Sequence, residues 1–581
     1  MRFLLLPALT LLIAGAAHAQ SDNPIVNGEL GIRIDEYMSR MAAFGLSGTL
    51  LAAKDGEILV RKGYGLADDA RSIPVTADMP FLIASLSKQF TAAALLKLEM
   101  QGRLSVSDTV GRFFPDAPAD KRGITIHQLL THTAGLPYLE QSLAPGASRD
   151  ETMREILSLP LETSPGTGFA YSNPGYALLA GIVERASGQK FEAYLRRNLF
   201  DPAGMQSTGF LGDEPHARLD RLHSYSGTND EGPTSTFLYG ADLAGAGSIY
   251  STAGDLYRWE QALAEDAVLS AEAREKLFTA HVPVQGPMSY TYGWNTTSTI
   301  RGTRLIFHAG DLGGYNVEYR RYVDEGLVLI FLSNRRINGT GYRMAVMNPL
   351  SLMIAGAPYP APPAVVDIPA TELEHMAGRY TLPGGGAILA WTEGHRLMMG
   401  AEGQDGLLAL AGTANADSPA LAELARLTRE VVLAAAHGNF DPLKKRLHPS
   451  YPFEDVKNAL EADMRGLSDS LGPFRGVEIT GSVMPTPMSA QTFFRLRFEH
   501  GEVGQMYGWG GDRIAAIGER VPRALPTRFA PVSASVVASF DPFTGHTVRV
   551  EIDKGTDGKV IGLNIVMDRT SVTALRASDR L

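Results

Sequence analysis

The 581-residue chain contains no cysteine. Disulfides, thiolate zinc sites, iron–sulfur clusters and a cysteine nucleophile are excluded, because each needs the thiol. Positive charge is not in excess either: 53 Lys and Arg stand against 63 Asp and Glu, a formal net charge of -10. A nucleic-acid binder's electrostatic footprint and a polybasic membrane patch are both missing, so the expected partners are small molecules or peptides, with no nucleic acid. Past the first residues no apolar run is long enough to cross a bilayer. The start itself, Met1-Arg2-Phe3-Leu4-Leu5-Leu6 through Ile13-Ala14-Gly15, is charged and then briefly apolar, and Ala17-His18-Ala19 is an Ala-x-Ala cleavage site. This predicts a signal peptide over 1–19 and an exported mature protein, periplasmic in a Gram-negative cell, with no stable membrane insertion; a retained anchor is the alternative. The length exceeds what one hydrophobic core holds and predicts about two to four domains.

What is present begins with Phe81-Leu82-Ile83-Ala84-Ser85-Leu86-Ser87-Lys88. A helix starting near Ser85 and running to Met100 puts Ser85 and Lys88, three residues apart, on one face. A serine hydroxyl is a poor nucleophile until a base takes its proton, and a desolvated lysine can be that base. The bland reading is a helix cap followed by a solvated lysine. A second Ser-x-x-Lys at Ser187-Gly188-Gln189-Lys190 reads as a helix end turning on glycine, with an exposed lysine and no chemistry.

Further on, Tyr171-Ser172-Asn173-Pro174 places a phenol and a carboxamide on a loop that opens a helix. A tyrosine beside a lysine can act as base and an asparagine can donate to a substrate carbonyl; a packed tyrosine with an Asn N-cap is the plainer alternative. His127 and His132 have no acidic or histidine partner at ligand spacing, so they read as polar residues closing a helix before Gly135, and no metal is expected. Strand-like runs flank Asp55-Gly56 as a hairpin, and a further run over Tyr292 to Thr297 leads across a turn at Arg301-Gly302 into three more, ending in Leu327 to Asn334, that form a meander, giving with the hairpin a sheet of about five strands. His308 closes one of these strands beside Gly310, Gly313 and Gly314, a site position unless a turn carbonyl satisfies it.

Taken in order, Ser85-x-x-Lys88, Tyr171-x-Asn173 and His308-Ala309-Gly310 resemble the motifs of the serine β-lactamase and penicillin-binding-protein superfamily, on its class C-like branch of esterases, D-aminopeptidases and D,D-peptidases. Leu129-Leu130-Thr131-His132-Thr133-Ala134-Gly135-Leu136, Gly247 to Leu256 and Leu332-Ser333-Asn334 extend the likeness over roughly residues 30 to 355. The resemblance implies an α+β fold, an antiparallel sheet flanked by helices beside a helical subdomain. It implies that Ser85 is the acyl-forming nucleophile, that Lys88 and Tyr171 share proton transfer, and that Asn173 orients the substrate. The backbone N–H groups of Ser85 and Asp311, next to Gly310, would form the oxyanion hole, and no cofactor is required. His308 departs from the lysine usual in the third motif. A neutral imidazole offers a substrate carboxylate little charge, which favours ester or small amide and peptide substrates over efficient β-lactam turnover, unless a neighbour such as Asp311 raises its pKa. No Gly-x-Ser-x-Gly elbow is present, against an α/β-hydrolase.

Pro-rich Ala355 to Pro363 marks a domain boundary. The hydrolase domain is expected over 20–357. A small β-barrel-like domain follows over 358–412 and 521–581, interrupted at 413–520 by an inserted α+β domain of nuclear-transport-factor-like or cystatin-like character. A helix from Ser418-Pro419 to Gly438, with Leu421, Leu424, Val431 and Ala435 on one face, belongs to the insertion. Two functions compete: an exported serine hydrolase working through an acyl-enzyme, and a non-catalytic peptidoglycan- or β-lactam-binding receptor that keeps the fold. Self-association is left open.

Overall fold

The computed structural model describes residues 23–578 apart from 140–146, 212–218, 228, 238–239, 338–339, 395, 412–417, 450, 487–488, 518–523, 543 and 568–569. The expected signal peptide and both borders of the C-terminal insertion lie outside the described residues. Packing divides the chain into two units, Met1–Ile32 with Ser47–Arg343, and Arg33–Leu46 with Met344–Leu581.

The first unit is built on a nine-stranded antiparallel sheet. Its strands are β1 (Ile25–Val26), β2 (Gly48–Lys54), β3 (Glu57–Tyr64), β4 (Val282–Gln285), β5 (Met288–Tyr290), β6 (Asn295–Ser298), β7 (Arg304–Leu312), β8 (Tyr315–Tyr322) and β9 (Leu327–Ser333). They lie in the order β1-β3-β2-β9-β8-β7-β6-β5-β4. Asp55 and Gly56 turn the first hairpin with φ of 50° and 88°, the doubly positive geometry that Asp-Gly supports. The expected count of about five strands is too low: β6 falls on the run read at Tyr292 to Thr297, and β1, β4 and β5 add three more, each of two to four residues, too short to show a period of two in sequence. Strand β9 is buried at every position, as its unbroken apolar run requires in the middle of a sheet.

The helix Lys88–Met100 is buried at ten of its thirteen residues, so it lies inside the unit rather than on its surface. Ala92, Ala93 and Ala94 are fully buried, and their small side chains let neighbouring elements approach. Asn173–Ser187 packs along it. Trp259, on the helix Ala253–Ala264, reaches it through Nε1 donating to Gln89 Oε1 at 2.9 Å and a ring contact with Phe90 at 4.9 Å. Fully burying side chains such as Phe90, Leu95 and Leu96 contributes about 1.5–3 kcal/mol each, which holds the N-terminal end of this helix in place.

In the second unit eight strands close a barrel, the ring being completed where Gly378–Thr381 pairs with Thr570–Ser578. Between its strands Arg396–Glu402 and Ala524–Ser533 the chain forms helices, among them Pro419–Ala436 and Phe453–Leu471, and a four-stranded sheet over 474–517. Leu421, Leu424 and Val431 are buried on the face read from sequence, and Ala435 packs against that cluster. The unit also takes Arg33–Leu46 from the front of the chain: Tyr37 Oη donates to Ala345 O at 2.8 Å, and its ring meets Tyr359 edge-on at 6.0 Å.

Candidate active site

Ser85 does not sit in the α-helix that the sequence suggests. It occupies a 3₁₀ turn, Ala84–Ser87, and the α-helix starts at Lys88. Side chains at i and i+3 eclipse in a 3₁₀ turn, so Ser85 and Lys88 face each other all the same. Ala84 is held at φ 45°, a left-handed conformation that costs a non-glycine residue of order 1–3 kcal/mol and persists only where the surroundings impose it. Here Ile83 N donates to Ile249 O at 3.0 Å and Ile249 N to Ser87 Oγ at 3.3 Å, so the turn is stapled at both ends to the strand Ile249–Ser251. From the other side β7 presses in. A Cβ on Gly310 would stand 2.5 Å from Ile83 O and 3.0 Å from Ser85 N, and only glycine lets the strand lie this close to the turn.

Lys88 is fully buried. Its Nζ lies 3.2 Å from Ser85 Oγ, 2.8 Å from Asn173 Oδ1 and 2.9 Å from Ala246 O. The Asn173 amide nitrogen donates to Leu139 O, which leaves its oxygen for the lysine. Asn173 Oδ1 and Ala246 O can only accept, so they take two N–H bonds and the third direction is Ser85. A neutral amine has two N–H bonds and one lone pair, and this arrangement aims the lone pair at the serine hydroxyl proton. Desolvation favours the same state and holds Lys88 well below its ordinary value. The faces of Tyr171 and Tyr176, 4.8 and 5.5 Å from Nζ, favour the cation by only about 0.5–2 kcal/mol each. Among the described residues no carboxylate pairs with Lys88.

Tyr171 stands beside Ser85, and burial pushes its phenol well above the usual value, so at rest it is a neutral hydroxyl. Ser172, rather than Asn173, caps the following helix by accepting from Gly175 N at 3.1 Å, which frees Asn173 to reach the lysine. The duplicate Ser187-Gly188-Gln189-Lys190 ends the same helix on Gly188 at φ 72°, with Lys190 exposed, as expected.

His308 is buried on β7, and burial above all, with the Arg343 cation acting in the same direction, pushes it down to about 3. Its Nδ1 lies 2.6 Å from Ala309 O and its Nε2 3.3 Å from Tyr290 Oη. Asp311 does not raise it: that carboxylate is bound by Arg343 and Asn316 and lies 3.2 Å from Arg336. The third motif is therefore uncharged. Among the described residues no cluster of His, Asp or Glu could hold a metal ion.

The sequence region from residue 34 to 347 matches the family described as Beta-lactamase. The chain belongs to the beta-lactamase family. Within that family it is similar to penicillin-binding protein 4* of Bacillus subtilis (strain 168), 33% identical over 385 residues that span 62% of this chain and 84% of that one. Esterase EstB of Burkholderia gladioli is 28% identical over 367 residues, 53% of this chain and 89% of the esterase. Among solved structures, the octameric penicillin-binding protein homologue from Pyrococcus abyssi superposes with a TM-score of 0.50 and 18% identity, covering 94% of this chain and 100% of that one, a likeness of fold alone.

The structure brings together Ser85, Lys88, Tyr171 and Asn173 directly, with His308 and Gly310 beside them, while the Asp311 side chain turns to Arg336 and Arg343. Sequence reasoning missed three contributors. Ala246 binds Lys88 through its backbone, which no side-chain pattern reveals. Tyr290 stands on a three-residue strand. His132, read as a helix-end polar residue, is buried with φ 57° and stacks on Tyr171 at 4.2 Å.

Proposed function

We propose that this protein is an exported serine hydrolase that forms an acyl-enzyme on Ser85 and acts on esters or on small amides and peptides. The observation that carries this is the buried Lys88 amine, held by two acceptor-only oxygens with its third direction on Ser85 Oγ. Lys88 takes the hydroxyl proton as Oγ attacks the substrate carbonyl. Tyr171, protonated and beside Ser85, gives its proton to the departing oxygen or nitrogen as the acyl bond breaks and takes back from Lys88 the proton that came from Ser85. The backbone N–H groups of Ser85 and Asp311 receive the oxyanion, each contributing about 3 kcal/mol when well aligned. Water then attacks the acyl-ester carbonyl and gives a proton to the neutral Lys88 amine; as the bond to Ser85 Oγ breaks and the acid leaves, that proton passes to Oγ and restores the resting site.

The uncharged third motif supports esters or small amides over β-lactams, whose carboxylate asks for a permanent cation. Esterase EstB, by its name, shows that this family accommodates ester chemistry. A short-chain aryl ester should have a higher kcat/KM than a chromogenic cephalosporin, and His308→Lys should move that ratio toward the cephalosporin. A cephalosporin preferred by the unaltered protein both above and below neutral pH, with no change in His308→Lys, would end this reading of substrate.

Export rests on the leader-like residues 1–19. Expressed in a Gram-negative host, the protein should appear in the periplasm with Gln20 as its first residue; an intact N-terminus in the cytoplasm would contradict it.

A further inference from the structure

A second set of hydrogen bonds lies behind the nucleophile, running from the Tyr171 loop to the third motif. Ser172 N donates to His132 Nδ1 at 3.0 Å. A backbone N–H can only donate, so Nδ1 is bare and the ring proton of neutral His132 is on Nε2. That Nε2 lies 3.2 Å from Tyr290 Oη, and Oη lies 3.3 Å from His308 Nε2. At the far end His308 Nδ1 faces a carbonyl, Ala309 O, which can only accept, so the proton of His308 is on Nδ1 and its Nε2 is bare. Every link then has one direction: Ser172 N–H to His132, His132 Nε2–H to Tyr290, Tyr290 O–H to His308, His308 Nδ1–H to Ala309. The two imidazoles carry their protons on opposite nitrogens.

The His132 backbone joins in, its carbonyl accepting from Ala170 N at 2.8 Å. The residues on both sides of Tyr171 are thus tied to one histidine, whose ring also lies against the phenol ring at 4.2 Å with a tilt of 33°. His132 holds φ 57°, strain that a mere core residue has no reason to carry.

We propose that His132 is a positioning residue, which with Tyr290 fixes the Tyr171 phenol against Ser85 and locks His308 in the Nδ1–H form, turned away from substrate as a hydrogen-bond donor. The proposal rests on the hydrolase reading above for its kinetic consequence, and on geometry alone for the two tautomers. Groups facing the chain are Lys88, Tyr171, Phe169, Arg343 and Tyr176, the last giving its proton to Leu130 O at 2.8 Å. None supplies a carboxylate that would charge either imidazole, and burial opposes the charge on both.

The direct test is long-range ¹H–¹⁵N spectroscopy of the full protein labelled with ¹⁵N-histidine, assigned with His132→Asn and His308→Gln. The expected spectrum has a bare Nδ1 for His132 and a bare Nε2 for His308, both unchanged between pH 5.5 and 8.5. Tyr290→Phe should release His308 into a mixture of tautomers and leave Nδ1 of His132 bare. The same tautomer on both rings, or titration of either within this range, overturns the proposal, whether or not the protein turns over any ester.

The kinetic arm separates positioning from general stability. His132→Ala should lower kcat on an aryl ester by about 100-fold with little change in KM, the scale of a misplaced reacting group. His132→Asn keeps an acceptor at the Nδ1 position and tolerates positive φ, so it should recover at least about tenfold of that loss. An asparagine variant that folds and is as slow as the alanine variant would remove His132 from the positioning role.

Discussion

Ser85→Ala is expected to lower kcat on an aryl ester by at least about 10⁴-fold, since a missing nucleophile abolishes the covalent route and leaves only what binding and backbone donors supply. The fold should be untouched. Lys88 keeps its bonds to Asn173 and Ala246, and the turn is pinned through Ile83 and Ser87 rather than through Ser85 Oγ. The change in unfolding free energy should therefore stay within about 1 kcal/mol, against a median point mutation of similar size. Activity retained within tenfold in a variant with an unchanged melting curve would mean that another residue, Ser87 being the nearest, attacks the substrate.

Lys88→Met is expected to combine a loss of activity with a gain in stability. Removing a general base costs about 10²–10⁴-fold in the acylation step, while methionine fills much of the same volume without an amine to desolvate. The pH dependence has a definite sign. Burial depresses the pKa of Lys88 in the folded protein, so between the folded value and the unfolded value near ~10.4 the unfolded chain binds more protons. Unfolding free energy then rises with pH across that window. The stability that the lysine forfeits at neutral pH is restored as pH climbs to the unfolded value. Measured as a difference between the two proteins, the advantage of Lys88→Met should be largest at the acid end of the range in which both stay folded and shrink steadily as pH rises toward about 10. A difference that stays flat with pH, or grows, would show a charged lysine in the folded state and a different base.

Much of this site could be read from the chain because its chemistry is carried by short local spacings. Ser85 and Lys88 lie three residues apart, Tyr171 and Asn173 two apart, and His308 next but one to Gly310, so the residue types alone expose the pattern. The hairpin at Asp55-Gly56 and the helix from Pro419 were legible for the same reason: turn chemistry and hydrophobic period act over a few residues. What could not be read depends on contacts distant in sequence. Ala246 O reaches Lys88 across 158 positions and Tyr290 joins His132 across 158 more, and nothing in either local stretch encodes its partner. The short strands β4 and β5 pair only with each other and with the four-residue β6, which in turn lies on the long β7. Their own residues, such as Met288-Ser289-Tyr290, are too few to show an alternation, whereas β6 overlaps the run Tyr292 to Thr297 that reads as a strand.

The reading of Tyr171 changed most. From sequence, a tyrosine beside a lysine could have carried a stabilised phenolate. In the folded protein burial outweighs that effect on the phenol, while the same burial keeps the amine uncharged. Desolvation thus sorts the two groups, favouring a neutral amine on the lysine and a protonated hydroxyl on the tyrosine.

The most direct test of the acyl-enzyme mechanism is intact-mass measurement after reaction with an aryl fluorophosphonate, followed by peptide mapping. One adduct per chain is expected, on Ser85, formed at a rate that increases with pH as Lys88 loses its proton, and missing in Ser85→Ala. An adduct on Ser87 or Ser187, or a protein that reacts equally well without Ser85, would contradict it.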